Sequence, residues 1–177
     1  MSLDGRFTVF SSSASDLVAG DSNGVVDIFI KDLTTGAVRV VSSSSSGGAG
    51  NSDSTRASVS ADGRFVVFES AASTLTSGDT NSISDIFVKD MVTGQLTKVS
   101  GGLNGAGGNG TASAASISAD GRYIAFESFS SNLVSGDTNS VTDIFIHDVL
   151  LGETRMVSTT ANGTRGNQSS INATVSA

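Results

Sequence analysis

An Asp-Gly-Arg-aromatic motif recurs at Asp4, Asp62 and Asp120, and both intervals are 58 residues. The same step separates Gly20, Gly78 and Gly136, and again Gly36, Gly94 and Gly152. A 177-residue chain built this way holds three copies of one supersecondary unit, none of which can bury its apolar face alone. The copies must stack, so the fold follows from what one copy becomes.

One copy reads as four short strands. Residues 57–60 (ASVS) lead through an Asp-Gly turn into residues 64–70 (RFVVFES), a strong hairpin signal. After a long loop, residues 85–91 (DIFVKDM) and 95–100 (QLTKVS) flank a turn whose Gly94 suits a left-handed backbone position. The runs FVVF and IFV are continuously apolar, short and β-branched, so they predict strands covered on both faces. The predicted fold is all-β: a β-propeller with three four-stranded antiparallel blades per chain, each sheet sandwiched between its neighbours. A β-solenoid is the alternative, but its coils are usually far shorter. Blade units are expected at residues 1–42, 57–100 and 115–158, with 159–177 as connection and closing strand. The Gly/Ser/Asn-rich segments 43–56 and 101–114 read as mobile connections. Residues 11–26 differ, because Leu17, repeated as Leu75 and Leu133, anchors an ordered loop.

The final residues NATVSA (172–177) match RASVSA (56–61), a first strand, whereas the unit in 1–42 lacks that strand. Open sheet edges invite pairing. Two chains exchanging these pieces would close a ring of about six blades, so a homodimer is expected; the alternative is a chain cut from a longer propeller.

Of the 17 acidic residues, 12 sit at four repeated positions. Asp4, Asp62 and Asp120 precede glycine in a hairpin turn, and Asp32, Asp90 and Asp148 open the turn ending at Gly36, Gly94 and Gly152. Bonding to the turn's own backbone accounts for both sets. The remaining set is Asp21, Asn23 and Asp27, repeated as Asp79, Asn81, Asp85 and as Asp137, Asn139, Asp143. Two carboxylates and an amide within seven residues of loop repel one another without a cation. The D-x-N-x-x-x-D spacing resembles oxygen-rich Ca²⁺ loops, and hard donors favour Ca²⁺ over zinc or copper. These nine residues are the candidate metal ligands, and Ca²⁺ is the expected cofactor. An Asx-rich turn followed by an aspartate capping the strand is the competing account. Gly24 gives way to Ser82 and Ser140, so the three loops need not bind equally.

The string SADGRFVVFES…GDTNSISDIFVKDMVTGQLTKVS resembles the repeats of TolB-like β-propellers, the long-repeat kind of exported and cell-surface bacterial proteins. The likeness runs through the whole chain three times. It implies a secreted, cell-surface or periplasmic protein and a platform for a protein or carbohydrate ligand. The family's usual proline and aromatic residue before the turn are missing here; Leu3, Ala61 and Ala119 stand in that place.

Charge removes one class of partner. At a formal −7 and pI 4.4 the field repels phosphate backbones, so no nucleic-acid partner is expected. No apolar run approaches the roughly 20 residues of a membrane helix, and no membrane insertion is expected. The amino terminus carries no charged segment followed by an apolar one, and cysteine is absent, which removes disulfides and thiolate sites. His147, the one histidine, replaces Lys31 and Lys89 and reads as an exposed strand position. Glu69 and Glu127 recur one unit apart and are a conceivable glycosidase pair. Arg6, Arg64 and Arg122 read as partners of an aspartate on a neighbouring blade. No nucleophile elbow, phosphate loop or zinc helix motif is present. The expected function is a non-enzymatic binding or scaffold module, the alternative a hydrolase or the propeller of a larger hydrolytic enzyme.

Overall fold

Continuous apolar runs and the Asp-Gly turns produce antiparallel ladders, and the computed structural model describes them over residues 1–103 and 107–176. Among these residues there are eleven strands. The first sheet holds β1 (Phe7–Ser12), β2 (Asp27–Asp32) and β3 (Val38–Val40). The second holds β4 (Ser54–Val59), β5 (Phe65–Ser70), β6 (Asp85–Asp90) and β7 (Leu96–Lys98), in that order. The third holds β8 (Ala112–Ile117), β9 (Tyr123–Ser128), β10 (Asp143–Asp148) and β11 (Glu153–Met156). The first sheet lacks the strand that β4 and β8 provide in the others.

The middle sheet buries residues on both faces. Val66, Phe68 and Phe87 pack with Ile28, Ile30 and Val41 of the first sheet. Val67, Ile86 and Val88 pack with Ile124, Phe126 and Phe145 of the third. Phe68 and Phe87 stack with ring centroids 5.7 Å apart, as Phe10–Phe29 and Phe126–Phe145 do in their own sheets. Register follows the period: Phe68 opposes Phe87 as Phe126 opposes Phe145.

The first strand begins earlier than its apolar residues indicate. β4 starts at Ser54 because Ser54 N donates to Val26 O of the preceding sheet at 2.7 Å, which ties the connection down. A bulge then follows: the register slips between Thr55 and Ser58, and again between Ser113 and Ser116. Arg56 and Ala114 take φ of 52° and 53°, a left-handed conformation that costs a non-glycine residue about 1 kcal/mol. A carboxylate offsets that cost, since Glu69 Oε1 accepts the Ala114 N–H at 2.7 Å across the sheets. Asn172, at φ 63°, donates to Glu127 Oε1 in the same way. Residues 170–175 therefore follow a first strand's path beyond the third sheet without forming a ladder. The connection at 43–49 is more ordered than its composition implies: Ser43 bridges Ala49, and Thr159 bridges Arg165. Residues 104–106 of the 101–114 connection lie outside the described residues.

Candidate functional site: the Asp-Asn-Asp loops

The last aspartate of each loop is the first residue of a strand, and it is buried. Asp27, Asp85 and Asp143 are 0–1% exposed. A serine from the chain beyond the sheet's outer strand donates to each: Ser42, Ser100 and Ser158 reach Oδ1 at 2.5, 2.6 and 2.6 Å. The same hydroxyls accept the N–H of Ile28, Ile86 and Ile144. Each aspartate thereby pins the start of one strand to the end of the next. This serine, fifteen residues downstream, recurs with the 58-residue period, which was the signal for it.

The asparagine folds the loop. Asn23, Asn81 and Asn139 accept the N–H two residues on through Oδ1, at 3.2–3.3 Å. Their Nδ2 atoms donate to Gly50 O, Gly108 O and Gly166 O, stapling the loop to the following connection. In the first and third repeats Nδ2 also meets the strand aspartate, at 2.7 and 2.8 Å.

The second repeat differs at one residue. Lys98 extends its ammonium between the two carboxylates, 2.6 Å from Asp85 Oδ2 and 3.5 Å from Asp79 Oδ1. The equivalent residues are Val40 and Met156. Burial pushes the Asp85 carboxyl up, against the lowering pull of Lys98 and Ser100. Burial raises Asp137 as well, and the neighbouring Asp143 charge adds to it.

The fold thus sets Asn23 on Asp27 and Asn139 on Asp143, joins Asp79 to Asp85 through Lys98, and places Asp137 near Asp143, with the amide oxygens turned to the loop backbone. Among the described residues no side-chain bond or ion pair ties Asp21 to its loop. Asp27 and Asp143 have both oxygens bonded, to Ser42 and Asn23 and to Ser158 and Asn139. Among the described residues, no three His, Cys, Asp or Glu side chains converge as a metal-binding group. A cation would draw on two carboxylates, backbone and water.

The other repeated charges are structural. Asp4, Asp62 and Asp120 accept the N–H two residues on at 2.9–3.0 Å, as turn chemistry requires. Arg6, Arg64 and Arg122 pair with Asp32, Asp90 and Asp148 of their own sheet at 2.7–2.9 Å, not with a neighbouring blade. The antiparallel register sets Phe7, Phe65 and Tyr123 opposite those aspartates, so Arg and Asp meet at the same sheet end. Each guanidinium also lies over the following aromatic ring. His147 is buried, contrary to the exposed position expected, because its strand packs inside a sheet stack. Its Nδ1 meets Thr154 Oγ1 at 2.9 Å, and burial lowers its pKa. Lys89 is likewise buried, and its Nζ donates to Ser43 O at 2.8 Å and Ser44 O at 3.1 Å. Glu69 and Glu127 each bond the next unit's backbone. A groove of about 680 Å³ between the second and third sheets is lined by Thr97, Lys98, His147 and Thr154 among others.

Three sheets packed face to face, with register and core repeated between them, define part of a β-propeller. Solved structures agree. TolB from Acinetobacter baumannii matches with a TM-score of 0.52 at 23% identity, over 89% of this chain and 31% of that one. The β-propeller domain of the Trilobed protease from Pyrococcus furiosus, described as having an open velcro topology, matches at 0.53 and 18% identity, over 85% and 38%. Porphyromonas gingivalis dipeptidyl peptidase 4 matches at 0.54 and 15% identity, over 95% and 27%. The chain spans about a third of the length of these structures, and it adopts the TolB-like propeller fold. No family model matches, and no curated protein does.

Proposed function

We propose that the chain is a non-enzymatic binding or scaffold module of an exported bacterial protein. One observation carries this reading: the repeated arginines, the turn aspartates and the strand-start aspartates are engaged, in every repeat, in bonds that hold turns, strand starts and sheet ends in place. Arg–Asp pairs close the sheet ends, Asp–Ser pairs close the strand starts, and Glu69 and Glu127 stitch one unit to the next. Surface left over for recognition includes the turn tips, where Val92, Leu150 and Leu151 are exposed. A protein or carbohydrate ligand fits an acidic, propeller-borne surface of this kind. A glycan and peptide array probed with the purified chain tests it, run beside generic esterase, peptidase and glycosidase assays. Binding without turnover supports the module; turnover lost on His147→Ala supports the alternative hydrolase, whose favouring observation is the groove containing His147.

We further propose that the module closes by pairing with a second copy. The first sheet turns Phe10 outward, and the third turns Ile144 and Ile146 outward, so the two end faces are complementary halves of a blade-to-blade core. By the period, residues 170–174 would run beside β1 in the register of β4 with β5, setting Ser170 against Ser12 and Ile171 against Ser11. Residues 175–177 coincide in register with 1–3 and would have to leave that path. The chain has no cysteine, so Ser11→Cys with Ile171→Cys gives an unambiguous test. A disulfide-linked dimer on oxidation supports exchange; free thiols throughout contradict it.

A further inference from the structure

Six buried side-chain polar atoms among the described residues lie outside the hydrogen-bond network, and four belong to one cluster: both Asp79 oxygens, and Asp85 Oδ2 with Lys98 Nζ, which meet each other as an ion pair at 2.6 Å. A fifth, Asp137 Oδ1, occupies the position of Asp79 one repeat later. In the second repeat the pocket between the two carboxylates contains a positive charge, the Lys98 ammonium, in close contact with one and near the other. The third repeat keeps the pocket walls. Asp137 is 6% exposed and Asp143 fully buried, and Ser158 and Asn139 hold Asp143 as their counterparts hold Asp27. What it lacks is the lysine, since Met156 stands there.

We propose that Asp137 and Asp143 of the third repeat hold one hard divalent cation of the Ca²⁺ class, in the place that the Lys98 ammonium takes in the second repeat. Two buried like charges need a counter-charge, and an oxygen-only donor pair selects a hard ion. Asn139 Nδ2 shares Asp143 Oδ2 and would have to yield part of it. Arg165 is the cation nearby; its Nη2 donates to Ser135 O at 2.6 Å, and it weakens the attraction for a metal. With two carboxylates and water as the main ligands, affinity falls in the range of extracellular modules, roughly 10⁻⁴–10⁻³ M. The first repeat has Val40 at the lysine position, but its Asp21 is only half-buried, so its carboxylate has less need of a counter-charge. The second repeat, already neutralised, takes none. The inference rests on the loops alone and is independent of what the propeller binds.

Calorimetric titration of CaCl₂ into chelator-treated protein tests it, with circular dichroism to confirm that each variant is folded. The native chain should take one ion. Met156→Lys should abolish binding, Asp137→Asn should do the same, and Arg165→Gln should tighten it several-fold. Lys98→Met should raise the stoichiometry to two. Absence of binding at millimolar Ca²⁺, or binding that survives Met156→Lys or Asp137→Asn, overturns the assignment. Should Lys98→Met fail to fold, the other variants decide the matter.

Discussion

Replacing Lys98 by methionine, the residue its own third repeat uses, isolates the electrostatics of the loop. The side chain is 11% exposed, and those of Asp79 and Asp85 are 1% and 0% exposed, so solvent screens the cluster little. Removing the cation leaves two carboxylates buried with no counter-charge, and breaking a buried pair in this way costs about 3–5 kcal/mol. For a chain of this size that is a fall in melting temperature of roughly 6–20 °C. The penalty depends on pH in a definite direction. The Asp85 carboxyl already lies above its ordinary value, and losing the lysine raises it further. An acid whose folded pKa is raised is penalised fully above that pKa, and the penalty disappears as pH falls toward the unfolded value near 3.9. Urea unfolding followed by circular dichroism in the presence of a chelator, at pH 7 and near pH 4.5, measures both. The variant should be several kcal/mol weaker at pH 7 and approach the parent at the lower pH. Asp85→Asn added to Lys98→Met should recover part of the loss. A variant within about 1 kcal/mol of the parent at pH 7, or one that falls further behind in acid, would refute the reasoning.

Phe87→Ala, at a position with no exposure between two sheets, should cost about 3–5 kcal/mol, whereas Val92→Ala at an exposed turn should stay within about 0.5 kcal/mol by the same assay. Arg64 beside Asp90 holds that carboxyl down at about 2, so its contribution is complete above the ordinary value near 3.9 and is lost as pH falls from there toward 2. Asp90→Asn should flatten that limb of an acid titration and cost about 1 kcal/mol at neutral pH. Glu127→Ala frees the Asn172 amide, and hydrogen exchange at 170–175 should quicken while the three sheets keep their protection; unchanged exchange would mean the carboxylate does not hold that segment.

The period and the strands were legible because they rest on local pattern: Asp-Gly turns, β-branched runs and a glycine at each tight turn. The turn roles of Asp62 and Asp90 were legible for the same reason. Lys98 was not, because it sits on another strand from the loop it neutralises and has no counterpart in the other repeats. The Arg64–Asp90 pairing within one sheet needed the register of β5 against β6, which places both residues at one end. His147 looked exposed because its repeat counterparts are lysines, yet Lys89 is itself buried on backbone carbonyls. The early start of β4 comes from bonds to the preceding sheet, which composition does not encode.

Light scattering on the purified chain tests the proposal that its two end sheets pair with those of a second copy. Pairing predicts a species of twice the 17.7 kDa chain mass that the Ser11→Cys, Ile171→Cys pair locks covalently. A stable species at 17.7 kDa across the concentration range, with those cysteines remaining free, would contradict it.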